Sequence, residues 1–163
     1  MKNEPRVTGH GSRNRAIVIA ADHGGYLLKE KIKGFLGKNG YKTEDVGTYS
    51  EESCDYPLFG YEAARRVSEK KAGKGILICK SGIGMSIVGN KLPGVRAALC
   101  VSKEDAVSAR EHNDANVLVL SSTKAPSSKA LEIVKIWLAT KALGGRHARR
   151  VRQIIELEKK LYK

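Results

Sequence analysis

Gly75-Ile-Leu-Ile-Cys79-Lys80-Ser81-Gly82-Ile83-Gly84-Met85-Ser86 is the stretch that decides how the chain is read. An apolar run of strand length stops at a cysteine, and a glycine-bearing turn leads into a short helical pattern over Met85 to Asn90. A continuous apolar run of this kind fits a strand buried on both faces, as in a parallel sheet. In open α/β sheets small ligands bind beyond the carboxyl ends of the strands. A Gly-containing loop that opens a helix also offers backbone N–H groups to an anion. Cys79 stands where such an anion would lie, and Lys80 beside it adds positive potential, which favours a thiolate. The competing reading is that Cys79 is a small buried hydrophobe, as most free cysteines are. The serine and glycines after it would then be turn formers only.

The flanking sequence repeats the pattern. Upstream, Ala16-Ile-Val-Ile-Ala-Ala21 is a second buried-strand run broken by Asp22-His23-Gly24-Gly25, and Tyr26 to Lys38 follows helical spacing through Leu27, Leu28, Ile32, Phe35 and Leu36. Tyr41 to Val46 reads as a short strand, Gly47 to Pro57 as a loop, and Leu58 to Lys71 as a helix with Tyr61, Ala64 and Val67 on its apolar side. Downstream, the spacing predicts strands over Val95 to Val101 and Asn116 to Leu120, with a helix over Lys103 to Glu111 between them. A helix over Pro126 to Leu143 is stopped by Gly144-Gly145, and a last basic helix covers Arg146 to Tyr162. Strands alternating with helices at this spacing require parallel pairing with right-handed crossovers. The expected fold is therefore α/β: a three-layer, Rossmann-like domain with a five-stranded parallel sheet. Residues 15–163 form that one domain, and residues 1–14 are read as a flexible extension or a cloning remnant without chemistry.

Composition narrows the function. The chain has 163 residues and a net charge of +13, which raises the question of nucleic acid. Residues 1–15 carry a net +3 and residues 146–163 a net +5, so most of the excess sits at the two ends, and no basic stretch is interleaved with stacking aromatics. Nucleic-acid binding is thus a minor reading. No apolar run approaches the roughly 20 residues of a membrane span, and no signal-peptide pattern follows the start, so a cytoplasmic protein without membrane attachment is expected. Cys54, Cys79 and Cys100 form no C-x-x-C pair, which argues against disulfides and against a cysteine zinc site. Cys54 and Cys100 read as packing residues.

Other candidates have plain alternatives. Asp22 is a good helix N-cap and needs no further role. His112-Asn113-Asp114 closes a helix, where a histidine favours the C-terminal dipole. Arg146 and Arg150 are four apart at the start of a helix, either a solvated face or a phosphate clamp. The topology also separates them: Asp22, His23 and Cys79 belong to the carboxyl edge of the sheet, whereas His112 and Arg146 belong to the opposite edge. A five-residue strand spans about 17 Å, so one subunit cannot easily join the two sets. A two-fold dimer setting one edge against the other would create two equivalent composite sites.

The combination Ala21-Asp22-His23-Gly24-Gly25, Asp55-Tyr56-Pro57, Gly75-Ile-Leu-Ile-Cys79 with Ser81-Gly82-Ile83-Gly84-Met85-Ser86, Arg110-Glu111-His112-Asn113-Asp114-Ala115-Asn116-Val117 and Gly144-Gly145-Arg146-His147 resembles the type B ribose-5-phosphate isomerases. The wider sugar-phosphate isomerase family includes galactose-6-phosphate isomerase subunits, and the resemblance covers residues 16 to about 158 in order. It implies a cofactor-free, metal-free aldose–ketose isomerase of the pentose phosphate pathway, homodimeric or tetrameric, with shared sites and the C-terminal helix packed on the partner. By resemblance, Cys79 would be the base moving a proton between C1 and C2, and Ser81 would assist it. Backbone N–H groups around Ser81, Gly82, Ile83 and Gly84 would hold the cis-enediolate. His112 from the partner would open the furanose ring with Asn113 beside the substrate. Asp22 would bind sugar hydroxyls, Tyr56 would line the pocket, and His23, Arg146 and Arg150 would hold the phosphate.

Two positions depart from the pattern. Lys80 stands where the family usually has glycine, at a cost of about 1 kcal/mol if the turn needs positive φ; it is expected to lower the thiol's proton affinity, bind phosphate or, the favoured reading, face solvent. Ser121-Ser122-Thr123-Lys124 stands where an arginine is often found, with Lys124 as a substitute phosphate contact. The alternatives kept open are an isomerase of a six-carbon sugar phosphate (allose or galactose 6-phosphate) and a non-catalytic phosphosugar- or nucleotide-binding module.

Overall fold

A computed structural model describes residues 16–162. The expectation for residues 1–14 lies outside this range. Five strands run in parallel: β1 (Ile17–Ala21), β2 (Thr43–Asp45), β3 (Lys74–Cys79), β4 (Ala97–Leu99) and β5 (Val117–Ser121), in the order β2-β1-β3-β5-β4. The three central strands are almost wholly buried, as their unbroken apolar runs require. Their residues alternate between two cores. Ile17, Ile19, Ile76, Ile78, Leu118 and Leu120 face α1 (Tyr26–Lys38), α4 (Lys103–Asn113) and α5 (Ser127–Ala139). Val18, Ala20, Leu77, Cys79, Val117 and Val119 face α2 (Tyr56–Ser68) and α3 (Ile83–Gly89). Each fully buried aliphatic side chain contributes about 1.5–3 kcal/mol. The outer strands β2 and β4 keep only three residues each, shorter than their apolar patterns suggested, because an edge strand has a neighbour on one side only.

Several boundaries move, each for a local reason. Asp55-Tyr56-Pro57, expected in a loop, opens α2 with Asp55 as N-cap; Pro57 is tolerated because a first-turn N–H has no helical partner. Asp22 is not the cap of α1, contrary to its reading from sequence. Gly25 is, and Asp22 instead braces the turn, its Oδ1 and carbonyl accepting the Gly25 N–H at 2.9 and 3.0 Å. Leu27 and Tyr61, assigned to apolar helix faces, are half exposed, and Lys29 takes a fully buried place on α1. Finally, α5 ends at Ala139 rather than Leu143. The Arg110 Nε–H donates to the Thr140 carbonyl at 3.2 Å, and the Leu143 N–H to the Glu111 carbonyl at 3.0 Å. The chain is drawn along α4 before α6 (Gly145–Leu161) begins.

Candidate functional site

The strand order reverses direction between β1 and β3: β2 lies beyond β1 on one side, and the later strands lie beyond β3 on the other. Loops leaving the carboxyl ends of two such strands diverge and leave a crevice. The loops here are Asp22–Gly25 and Lys80–Gly82. They start in register, with Ala21 paired to Ile78 and Cys79 to Ser121, and the Asp22 N–H donates to the Ile78 carbonyl at 3.2 Å. The residues singled out in these loops therefore lie together.

Cys79 is buried, at 4% exposure, and its Sγ accepts the Gly82 N–H at 3.1 Å. Charge developing on the sulfur thus meets a donor already in place. Gly82 adopts φ 77°, a conformation that disfavours any side chain, and this turns the main chain back onto the thiol. Ser81 Oγ accepts the Ile83 N–H at 3.2 Å. Two of the N–H groups read from sequence as an oxyanion cradle are thus already engaged by Cys79 and Ser81. Gly84 lies under the Tyr56 ring, where a β-carbon would come 2.5 Å from Tyr56 Cζ. Tyr56 thereby closes one side of the glycine turn, a position that follows from its place in the first turn of α2.

On the β1 side, Asp22 is buried and His23 half buried. The Cys54 main chain brackets His23 Nδ1, with its N–H at 3.2 Å and its carbonyl oxygen at 3.3 Å, and Cys54 Sγ lies 4.0 Å away. Cys54 is therefore more than packing, and no pattern in the sequence pointed to it. Cys100 does pack: it is 1% exposed, and burial pushes its thiol up to about 12.

Lys80 follows Cys79 on a strand end, so the two side chains leave opposite faces. Cys79 joins the α2–α3 core, while the Lys80 stem lies across Gly24, where a β-carbon would collide with Lys80 Cγ. Lys80 is exposed and does not have positive φ, so it neither strains the turn nor covers the thiol. Lys124 is also exposed.

His112, Asn113, Arg146 and Arg150 belong to the opposite edge, at the far end of the strands from Cys79. His112 stacks on His147, with ring centroids 4.3 Å apart and planes 10° apart. The family resemblance implies no role for His147. Withdrawal from water, and then the neighbouring His112, Arg146 and Arg150, hold its imidazole below the usual range. The α4 end is fixed by two arginines. Arg96 donates to the Asn113 and Asp114 carbonyls at 2.9–3.1 Å, and the Arg110 guanidinium holds Asp114 Oδ1 and the Ala115 carbonyl at 2.7 Å each. A cavity of about 220 Å³ beside His112 is lined by Glu111, Asp114, Leu143, Val151 and Arg152. No cluster of metal-ligating side chains occurs among the described residues. No described helix is long and apolar enough to cross a membrane.

Fold and site together define a Rossmann-like α/β protein with a thiol and a glycine turn at its topological switch point. Residues 17–154 match the family model described as Ribose/Galactose Isomerase. The chain is 38% identical over 146 residues to ribose-5-phosphate isomerase B of Escherichia coli, a match covering 90% of this chain and 98% of that one. Among solved structures, ribose-5-phosphate isomerase B of Clostridium thermocellum superposes with TM-score 0.87 at 49% identity, covering 90% of this chain and 99% of that one. The Mycoplasma genitalium enzyme, solved with bound ribulose-5-phosphate, superposes with TM-score 0.85 at 41% identity over 88% and 96% of the two chains. The chain belongs to the ribose/galactose isomerase family.

Proposed function

We propose that the protein is an aldose–ketose isomerase that interconverts ribose 5-phosphate and ribulose 5-phosphate. The observation that carries this reading is the Cys79 thiol. In a chain of this family, it sits at the switch-point crevice, against the Gly82 N–H and across from the Asp22–His23 loop. In the open-chain aldose, Cys79 as thiolate removes the C2 proton and the C1–C2 enediolate forms. The same proton returns to C1, while a proton moves between O1 and O2, so the ketose contains the atoms of the aldose and no redox partner is consumed. Ser81 assists at the oxygens, and the main chain of Ser81 to Gly84 lies against the enediolate. Asp22 holds sugar hydroxyls and Tyr56 lines the wall beside Gly84.

The remaining half of the site comes from a second copy. His112 of the partner subunit opens the ring with Asn113 alongside, and Arg146 and Arg150 of the partner subunit, with His23, hold the phosphate. Two apolar surfaces support a homodimer. Ile154, Leu157 and Leu161 stand exposed at helical spacing on α6, which buries none of its described residues. Ile83 and Ile87 stand exposed on α3, next to the glycine turn. Apposing these faces would bring the two edges together and cover α6 with the partner.

Incubation of the protein with ribose 5-phosphate in metal-free buffer should yield ketopentose phosphate. Cys79→Ala should lower kcat by about 10²-fold or more. A Cys79→Ala protein with wild-type turnover would sink the mechanism. The family description names galactose beside ribose, so a six-carbon sugar phosphate is the second reading, and comparing kcat/KM on pentose and hexose phosphates separates the two. A non-catalytic module would be favoured by a Lys80 side chain that blocked the glycine loop, whereas its stem lies on Gly24.

A further inference from the structure

Ser122, which belongs to neither loop, bonds to both sides of the crevice. Its N–H donates to the Cys79 carbonyl at 3.0 Å, and its hydroxyl donates to the Gly24 carbonyl at 2.6 Å. The flanking hydroxyls serve only the β3 side: Ser121 Oγ and Thr123 Oγ1 both donate to the Lys80 carbonyl, at 2.5 and 2.7 Å. Among the described residues, no other side chain outside Asp22–Gly25 donates a hydrogen bond to the main chain of that turn. We infer that Ser122 is a positioning residue: it sets the spacing between the Cys79 thiol and the Asp22–His23 loop, and so the fit of the sugar phosphate between them. This rests on the isomerase reading given above.

The geometry explains why the hydroxyl matters. Cys79 is fixed by its strand and by burial, so the β3 side of the crevice is rigid. The Asp22–Gly25 turn is held at its two ends, by the Asp22 N–H on the Ile78 carbonyl and by the Gly25 N–H on Asp22, which leaves Gly24 between them. Gly24 has no side chain to anchor it, and the Lys80 stem lies over it without a hydrogen bond. A serine held by its own N–H to the Cys79 carbonyl, with its hydroxyl on the Gly24 carbonyl, ties the middle of the turn to the end of β3. Displacement of a substrate-holding group by about 1 Å can cost up to about 10²-fold in rate.

The test compares wild type, Ser122→Ala, Ser122→Thr and Thr123→Ala. Ser122→Ala keeps the N–H bond to Cys79 and loses only the bond to Gly24. Amide hydrogen exchange over residues 22–25 should accelerate in Ser122→Ala and return toward the wild-type rate in Ser122→Thr, with Thr123→Ala unchanged. With ribose 5-phosphate, Ser122→Ala should lose about tenfold in kcat/KM, mostly through KM. Alkylation of Cys79 by iodoacetamide should keep its wild-type rate, showing an intact thiol. Unchanged exchange over 22–25 in Ser122→Ala, or an equal loss in Thr123→Ala, overturns the inference. If wild type does not turn over ribose 5-phosphate, the isomerase reading fails, while the exchange measurement still decides the role of Ser122.

Discussion

Lys80 faces solvent, the reading favoured from sequence over an effect on the thiol, a phosphate contact or a strained turn. In the structure the strand's two-residue period sends the two side chains to opposite faces, and the positive φ falls on Gly82. The carbonyl of residue 80, rather than its ammonium group, belongs to the site's framework: it takes the Ser121 and Thr123 hydroxyls. Lys80→Gly keeps that carbonyl. It should therefore leave kcat/KM within about twofold of wild type, with a stability cost of about 0.5–1 kcal/mol from added backbone freedom. Steady-state kinetics and urea unfolding check both figures, and a loss of activity tenfold or greater would return Lys80 to the substrate.

At the scale of elements, the central strands and α1 were legible because burial on two faces and helical periodicity leave strong marks in composition. The ends were not, because they are decided by partners far away in the chain. Nothing within residues 126–143 announces that α5 stops at Ala139; Arg110 and Glu111 recruit the following segment. The candidate site was legible in the same measure. Glycine turns and the cysteine stand out by residue type, whereas Ser122, whose hydroxyl reaches a distant backbone carbonyl, and Cys54, which acts through its main chain, carry no sequence signature.

Lys29 was hidden likewise, as one lysine in a lysine-rich helix, yet it is fully buried and its Nζ lies 2.6 Å from both Asp45 carboxylate oxygens. Burial pushes the Asp45 carboxyl up. Lys29, Lys33 and the Gly47 N–H more than offset this, leaving it below the usual carboxylate range. This cluster ties the edge strand β2 to α1. A carboxyl with a depressed folded value contributes stability that is complete above the ordinary carboxyl pKa of about 3.9, and that is lost as pH falls through the folded value. Lys29→Met should cost about 1–3 kcal/mol at pH 7, tempered because Lys33 remains paired with Asp45. The deficit should shrink as pH falls through the depressed folded value of Asp45, where the wild type also loses the carboxylate charge that Lys29 pairs with. Urea unfolding at pH 7 and pH 3 measures it, and a deficit that grows in acid would contradict the assignment.

For the whole molecule, the separation of the two residue sets has a consequence that a single-subunit enzyme would not share. Cys79 and Asp22 end strands at one edge, and the stacked His112 and His147, with Arg146, stand at the other. If each proposed site takes its base from one copy and its ring-opening histidine from the other, Cys79→Ala and His112→Gln damage different halves. A heterodimer of the two variants then contains one site with both defects and one site with neither. Random assembly makes about half the dimers mixed, and each has one intact site of two, so co-expressed variants should recover about a quarter of wild-type activity. Each variant alone should stay near its own residual rate. Sites contained within one subunit would give no recovery at any mixing ratio, because every copy would still lack one of its own groups; assay of the co-expressed mixture, and of the mixed dimers isolated on two different affinity tags, where recovery should rise to about half, separates the two architectures.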